Sequence, residues 1–511
     1  MAYAKLAIEA AGRWPNATAV KTRLGEITWT ELTTQAARIA AGLRASGLKP
    51  GDRVAILADA SARQAIFTIA ASWAGLVVAP LNTRLSPAEL VEIVEDAAVG
   101  AIASDDAHSA VGRTAAASFA NCVRIEIGDR VDPDSLGWAS MEAHAPIEAA
   151  PYDPEALAAL IYTGGTTGRP KGVMQSGRSL EIEARVMADG LGYGPDAVYL
   201  HAMPVFHVAG LAQFLGMILA GGVSVFEPTS GVGPTFGAIR DLGVNTLCGA
   251  PTSIAMMLEA STEARRLLRG VRAFGYGAAP ISEALLRTAI EAMPETRFIQ
   301  FFGQTETCGS VSALLPDRHV VDGPLAGRLA SVGRPHSHYD IVVADEEGRP
   351  LPVGDAGEIL VRGQAVSMGY WRQPDLTAAL FRDGWVRTGD VGRFDEEGFL
   401  YVVDRLKDMI VSGGENVFSS EVENVIGDHQ EVEGCAVIGV PHPLWGEAVH
   451  AVVRLRPGAV VEESDLIDWC RARLGGYKCP KSVSFRSTPF PLSGVGKVMK
   501  TELRKDYATT L

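Results

Sequence analysis

Apolar residues in the first hundred positions recur in two alternating rhythms. Leu32, Ala36, Ile39 and Leu43 fall at helical spacing. They follow Thr28 and Glu31, a pair that can satisfy the first free amides of a helix reciprocally. Gly47 and Pro50 stop that run. A short apolar strand over 54–58 comes next, then a helical stretch over 65–73 and a strand over 76–80. Ser86, Pro87 and Glu89 read as N-cap, first and third positions of another helix, and 101–103 as a further strand. Alternation of this kind predicts a parallel sheet covered by helices on both faces. Residues 105–155 carry little periodicity.

The rhythm resumes with a buried strand over 156–161. Residues 208–226 are uncharged and almost long enough to cross a bilayer. Gly221 and Gly222 would break such a helix, so a buried helix followed by a strand at 223–226 is expected. A helix from Pro234 and a strand at 246–248 follow. Between about 332 and 401 strand pieces (339–344, 358–362, 399–403) alternate with Gly/Asp turns, which predicts a β-rich unit. After Arg405 come helices near 421–426 and 463–474 and a strand over 448–455. The expected fold class is therefore α/β. A large N-terminal domain, residues 1–404, holds two α/β subdomains and a β-rich subdomain. A small mobile C-terminal α+β domain covers 405–511.

Composition narrows the function. The chain has 511 residues, 47% hydrophobic and 21% charged, with a formal charge of −14. That is a globular composition, and the acidic balance argues against nucleic acid as a partner. Six scattered cysteines suggest neither disulfides nor a zinc site. The N-terminus has no basic stretch before an apolar core, and the expected localisation is cytoplasmic, without a membrane span.

The most distinctive stretch is 162–172, Tyr-Thr-Gly-Gly-Thr-Thr-Gly-Arg-Pro-Lys-Gly. Glycines let backbone amides approach and encircle an anion, the threonines add donors, and Lys171 adds a charge. It is a candidate polyphosphate loop that differs from the common P-loop spacing. Five further stretches accompany it: Gly275-Tyr-Gly-Ala-Ala-Pro280, Gln300-Phe-Phe-Gly-Gln-Thr-Glu-Thr307, Trp385-Val-Arg-Thr-Gly-Asp390, the run from Tyr401 to Asn416, and Pro491-Leu-Ser-Gly-Val-Gly-Lys497.

In this order and spacing the chain resembles the adenylate-forming superfamily, and within it the acyl-CoA synthetases, along almost its whole length. The resemblance implies an acid–CoA ligase that activates an aromatic or medium-chain carboxylic acid with ATP. Acyl-AMP and pyrophosphate form first; coenzyme A then takes the acyl group and releases AMP. The alternative is a stand-alone adenylation enzyme charging a carrier-protein phosphopantetheine. The implied cofactors are ATP, Mg²⁺ and coenzyme A, with a homodimer left open.

The implied roles follow the motifs. Thr163, Gly164, Gly165, Thr166, Thr167 and Lys171 would hold the β- and γ-phosphates. Gly277, Ala278 and Ala279 would line an adenine slot, with Phe302, Gly303 and Gln304 beside it; Phe302 stands where tyrosine is usual. Thr305 would bond the α-phosphate and Glu306 would hold Mg²⁺. Asp390 would accept the ribose hydroxyls, and Arg405 would reach ribose or phosphate. Lys497 would stabilise charge developing on the α-phosphoryl group. Lys407 would be the hinge. Gly414 would leave room for pantetheine, with Trp445 near coenzyme A or, on the rival reading, in the core. His207 would stand beside the substrate carboxylate. The acyl pocket is expected between 208–213, 276–279, 301–303 and 307–312. Cys308 reads as lining rather than as a nucleophile.

Overall fold

The computed structural model describes residues 2–119, 121–163, 170–227, 231–413, 415–492 and 498–507. The local signals in the sequence form as expected. Thr28 caps the helix Trp29–Ala45 with Glu31 answering it, and Ser86 caps Pro87–Ala97 with Glu89 in the same reciprocal arrangement. Residues 208–226 divide into the helix Val208–Ala220 and the strand Val223–Val225. The turn between them is made by Gly221 at φ +68, a conformation that suits glycine. The helix expected from Pro234 begins slightly earlier, at Val232.

Four sheets result among the described residues. The first runs Leu136–Gly137, Val123–Glu126, Ala101–Ser104, Arg53–Leu57, Val77–Pro80, Leu157–Thr163, Lys171–Ser176. It is parallel except for its last pair, a hairpin. The second has nine strands. Its parallel middle includes Ala273–Gly277 and Arg297–Gln304, and Gly309–Leu314 returns antiparallel beside them. The hairpin Thr18–Thr22 and Gly25–Thr28 joins the far edge of this second sheet, so the two α/β layers are interleaved in sequence. A third, antiparallel sheet is built on Trp385–Phe394. The fourth contains Ile410–Ser412, Val432–His442 and Gly446–Leu455.

The helix Gly177–Leu191 lies between the first two sheets. Leu180 and Ala184 pack into one core, while Ile182, Val186, Met187 and Leu191 pack into another. The parallel strands Leu157–Thr163, Ala273–Gly277 and Arg297–Gln304 all end at loops that carry the glycine-rich motifs. Ligands of open α/β sheets bind at such carboxyl ends. Among the described residues no helix is long and apolar enough to cross a membrane.

Candidate active site

The phosphate-loop motif joins two antiparallel strands, with Thr163 paired to Lys171. Its tip, including Gly164, Gly165, Thr166 and Thr167, lies outside the described residues. Its root is braced. Tyr162 Oη donates to Asp96 Oδ2 at 2.6 Å, and the Tyr162 ring lies so close to Gly172 that a Cβ there would sit 2.9 Å from it. Burial, reinforced by the Asp96 carboxylate, pushes the Tyr162 hydroxyl pKa upward, so it stays a donor.

The segment 367–371 docks along the second strand of this hairpin. Met368 N donates to Met174 O and Met174 N to Gly369 O, both at 2.9 Å, and Trp371 N donates to Gly172 O at 2.7 Å. Tyr370 is thereby carried to the site. Its hydroxyl donates to Glu306 Oε1 at 2.9 Å, and Lys171 Nζ lies 5.4 Å from its ring centre. Burial first, then the Glu306 charge, raises the Tyr370 pKa. Sequence reading missed Tyr370 because nothing in Gly369-Tyr370-Trp371 has periodicity or charge. The glycine before it, Gly369, is the one local mark in the sequence, and the structure holds it at φ +98.

The turn Thr305–Thr307 is held from several directions. Gln175 Nε2 donates to Thr305 O at 2.7 Å, Ser367 N to Glu306 O at 3.0 Å, and Gln304 N to Thr307 Oγ1 at 3.1 Å. Gln304 Nε2 also reaches Thr388 O at 3.2 Å, which ties the turn to the strand carrying Asp390. Asp390 is buried within that strand rather than on a free turn. Its Oδ1 lies 3.0 Å from Arg405 Nε, and its amide donates to Thr388 Oγ1 at 3.1 Å. The adjoining Gly389, at φ +68, donates to Glu358. Beside this cluster, Gly277 pairs with Phe301, and a Cβ on Gly277 would sit 2.4 Å from Phe301 O. Ala278 takes a left-handed φ of +64. Phe302 is half-buried at the edge of the same strand pair.

His207 occupies the residue before the helix Val208–Ala220, its ring 4.7 Å from that of Phe206. Cys308 is fully buried and its thiol is pushed well above its ordinary pKa by burial, which suits lining and not nucleophilic chemistry.

In the small sheet, Gly413 N donates to Trp445 O at 2.9 Å. Trp445 is 39% exposed and stacks on His442 with ring centres 4.1 Å apart, so the core reading of this tryptophan is wrong. Lys407 is exposed, and partial desolvation among its neighbours lowers its pKa. Gly414 and Lys497 lie outside the described residues. Leu492 and Val498, which flank the Lys497 motif, pair with one another.

A cation held by Glu306 would draw one carboxylate from the protein and its other ligands from phosphate and water, the pattern that Mg²⁺ accepts. Among the described residues, the Glu306 carboxylate accepts from Tyr370 and keeps acceptor capacity beyond that bond.

Comparison with known proteins agrees with these motifs. The family model described as AMP-binding enzyme matches residues 8–371, and that described as AMP-binding enzyme C-terminal domain matches 421–497. A feruloyl-CoA synthase of an Amycolatopsis species is 36% identical over 495 residues, 96% of each chain. A fatty acid–[acyl-carrier-protein] ligase of Streptomyces coeruleorubidus is 33% identical over 487 residues, 94% of this chain and 92% of that one. Among solved structures, ATP-bound MatB from Rhodopseudomonas palustris aligns with a TM-score of 0.89 at 30% identity, covering 99% of both chains.

The close approach at Gly303 yields a test. A Cβ on Gly303 would lie 1.7 Å from Gly309 O, so Gly303→Ala must push the two strands apart. The expected cost is about 1–3 kcal/mol, seen as a lower thermal midpoint. Gly12→Ala is the control: nothing lies within 4 Å of a Cβ there, and in a helix the change should be neutral or stabilising. Equal midpoints for both variants would show that the strand contact at Gly303 is not tight.

Proposed function

The chain belongs to the AMP-binding enzyme family, and from that membership we propose that it is an acid–CoA ligase acting through an acyl-AMP intermediate. What supports this reading most is the turn Thr305–Thr307. It is tied to the phosphate hairpin through Gln175, to Tyr370 through Glu306, and to the Asp390 strand through Gln304. Groups suited to phosphate, cation and ribose therefore converge on one short segment. ATP would lie across it, with Lys171 and the glycine-rich loop at the β- and γ-phosphates, Thr305 at the α-phosphate, Mg²⁺ at Glu306, and the adenine between Gly277–Ala279 and Phe302.

In the first step a substrate carboxylate oxygen attacks the α-phosphorus, and the bond to the bridging oxygen breaks as pyrophosphate leaves. In the second a thiol sulfur attacks the acyl carbon and AMP leaves. Asp390 would hold the ribose throughout. Its Oδ1 pairs with Arg405 Nε, which would bring that guanidinium to the same place. We place the domain boundary after residue 404, with Lys407 as the pivot that exchanges Lys497 for the Gly413–Gly414 loop at the site. The thiol is that of coenzyme A on this reading. The likeness to a ligase acting on an acyl-carrier protein supports a second reading, a carrier-bound thiol. Supplying acyl-AMP with coenzyme A or with a loaded carrier, and comparing thioester yields, separates the two.

Three variants test the assignments. Tyr370→Phe removes the hydroxyl from Glu306 and leaves the ring beside Lys171. A hydrogen bond to a charged group is worth about 1.5–3 kcal/mol, so pyrophosphate exchange should slow by about tenfold or more. An unchanged rate would mean that Glu306 needs no positioning by Tyr370.

Lys497→Ala should slow acyl-AMP formation by ~10²–10³, the usual cost of one donor to developing charge. Synthetic acyl-AMP and coenzyme A should still yield thioester at close to the normal rate. Gly414→Leu should do the reverse, sparing pyrophosphate exchange and stopping thioester formation. If either folded variant loses both half-reactions equally, the two-conformation scheme fails.

A further inference from the structure

The phosphate hairpin is fastened at its base by a residue that no motif marks. Asp96 is the penultimate residue of the helix Pro87–Ala97. Its carboxylate accepts from Tyr162 Oη at 2.6 Å, and its main-chain carbonyl accepts from Trp371 Nε1 at 3.0 Å. Tyr162 and Gly172 open and close the glycine-rich motif and face one another across the hairpin. The Tyr162 ring packs on Gly172, where a Cβ would lie 2.9 Å from Cζ, and Gly172 O accepts from Trp371 N at 2.7 Å. Asp96, Tyr162, Gly172 and Trp371 thus close a ring of contacts around the base of the loop. The residue before Trp371 is Tyr370, whose hydroxyl bonds Glu306, so the ring reaches the proposed cation site through one further peptide.

Asp96 is itself held. Arg53, on the strand Arg53–Leu57, donates from Nε to Ala97 O at 3.0 Å and from Nη2 to Ala98 O. These carbonyls lie at the end of the helix, where the last ones have no partner within it and where a cation meets the negative end of its dipole. The same guanidinium stands 5.6 Å from the centre of the Trp371 ring. The first sheet, the helix end and Trp371 are therefore joined, and Asp96 presents its carboxylate to Tyr162 from a fixed base.

A loop that wraps a polyphosphate loses conformational freedom as it closes. The loss is smaller when the ends of the loop are already in place. That saving applies to ATP, whose β- and γ-phosphates meet the loop, and not to AMP, which has neither.

We propose that Asp96 is a positioning residue for the β- and γ-phosphates of ATP, acting through Tyr162. This rests on the ATP site assigned under the acid–CoA ligase reading.

The test is calorimetric titration of the full chain with ATP and Mg²⁺, and separately with AMP. Asp96→Ala should weaken ATP binding by about tenfold or more, the usual weight of a hydrogen bond to a charged group, and leave AMP binding unchanged. Asp96→Asn keeps an oxygen that can accept from Tyr162 and should recover most of the loss. Tyr162→Phe removes the same bond from the other side, so combining it with Asp96→Ala should weaken ATP no further than either change alone. A role confined to stability would lower the thermal midpoint and move ATP and AMP alike. The proposal is overturned if folded Asp96→Ala keeps the wild-type ratio of ATP to AMP affinity, if asparagine does no better than alanine, or if the two losses multiply in the double variant. Should Asp96→Ala not fold, an unchanged ratio in Tyr162→Phe overturns it. A wild-type chain that binds neither nucleotide overturns the ATP reading itself, a different result from variants that bind ATP as the wild type does.

Discussion

One short turn, Thr305–Thr307, is where the large part of the molecule is fastened together. It leaves the end of a strand in the nine-stranded sheet. Its carbonyls accept from Gln175, on the hairpin of the seven-stranded sheet, and from Ser367, on the segment leading out of the β-rich sheet. These bonds lie at the junction of three units, so each unit's orientation bears on the same few atoms. A buried backbone carbonyl without a partner is costly. Separating any one unit would strand such a group. Catalytic geometry and inter-sheet packing therefore rest on the same hydrogen bonds.

The glycines around that turn follow from the crowding. Gly303 faces Gly309 O and Gly277 faces Phe301 O, each closer than a Cβ could be. Both positions bring backbone against backbone, where no side-chain rotamer can relieve a clash. The tyrosines work differently. Tyr162 is tied to Asp96 and Tyr370 to Glu306, each as a donor whose ionisation burial suppresses. They hold two acidic side chains in place without adding charge to the site proposed for ATP.

How legible this was in the sequence depended on the range of the interaction. Thr28 with Glu31 and Ser86 with Glu89 lie three residues apart, and their capping is a local property that the sequence states outright. The nucleotide motifs were legible for a similar reason, because glycine spacing is read within one loop. Residues 105–155 were not. They continue the first sheet, but the strand Leu136–Gly137 is two residues long, and the helices Ser109–Ala116 and Trp138–Glu142 start without a side-chain cap. The helix Gly177–Leu191 was hidden for another reason: it has a polar stripe of Arg178, Glu181, Arg185 and Asp189, but Ser179 and Glu183 are polar residues on its buried side and blur the apolar face. Gln175, Tyr370 and Glu183 act on partners more than sixty residues away, and no local pattern marks them. Lys497 and Gly414 were named from motif alone and fall outside the described residues.

The proposed rotation at Lys407 has a cost that can be located. Asp404 closes the last large-domain strand, Leu400–Arg405, and its carboxylate accepts from the Ser419 amide and hydroxyl at the start of the helix Ser419–Gly427. A carboxylate there also faces the positive end of the helix dipole. Ser420 Oγ donates to Val403 O nearby. These contacts span the pivot, so turning the small domain must break them. Lys500 bonds Glu423 at 2.7 Å and Ser419 Oγ at 2.7 Å, and Arg504 lies 3.0 Å from Asp408. All of those residues follow the pivot and would travel together. The Lys500 ammonium thus keeps the Ser419 hydroxyl engaged while Asp404 lets go. Asp404, freed from Ser419, retains its bond to the adjacent Arg405 amide at 2.7 Å. Rotation would therefore exchange one charged hydrogen-bond set for solvent on the large-domain side, while the small domain's own charges stay satisfied. The barrier to the change would sit at one carboxylate, a single residue along the paired strands from the ion pair between Asp390 and Arg405.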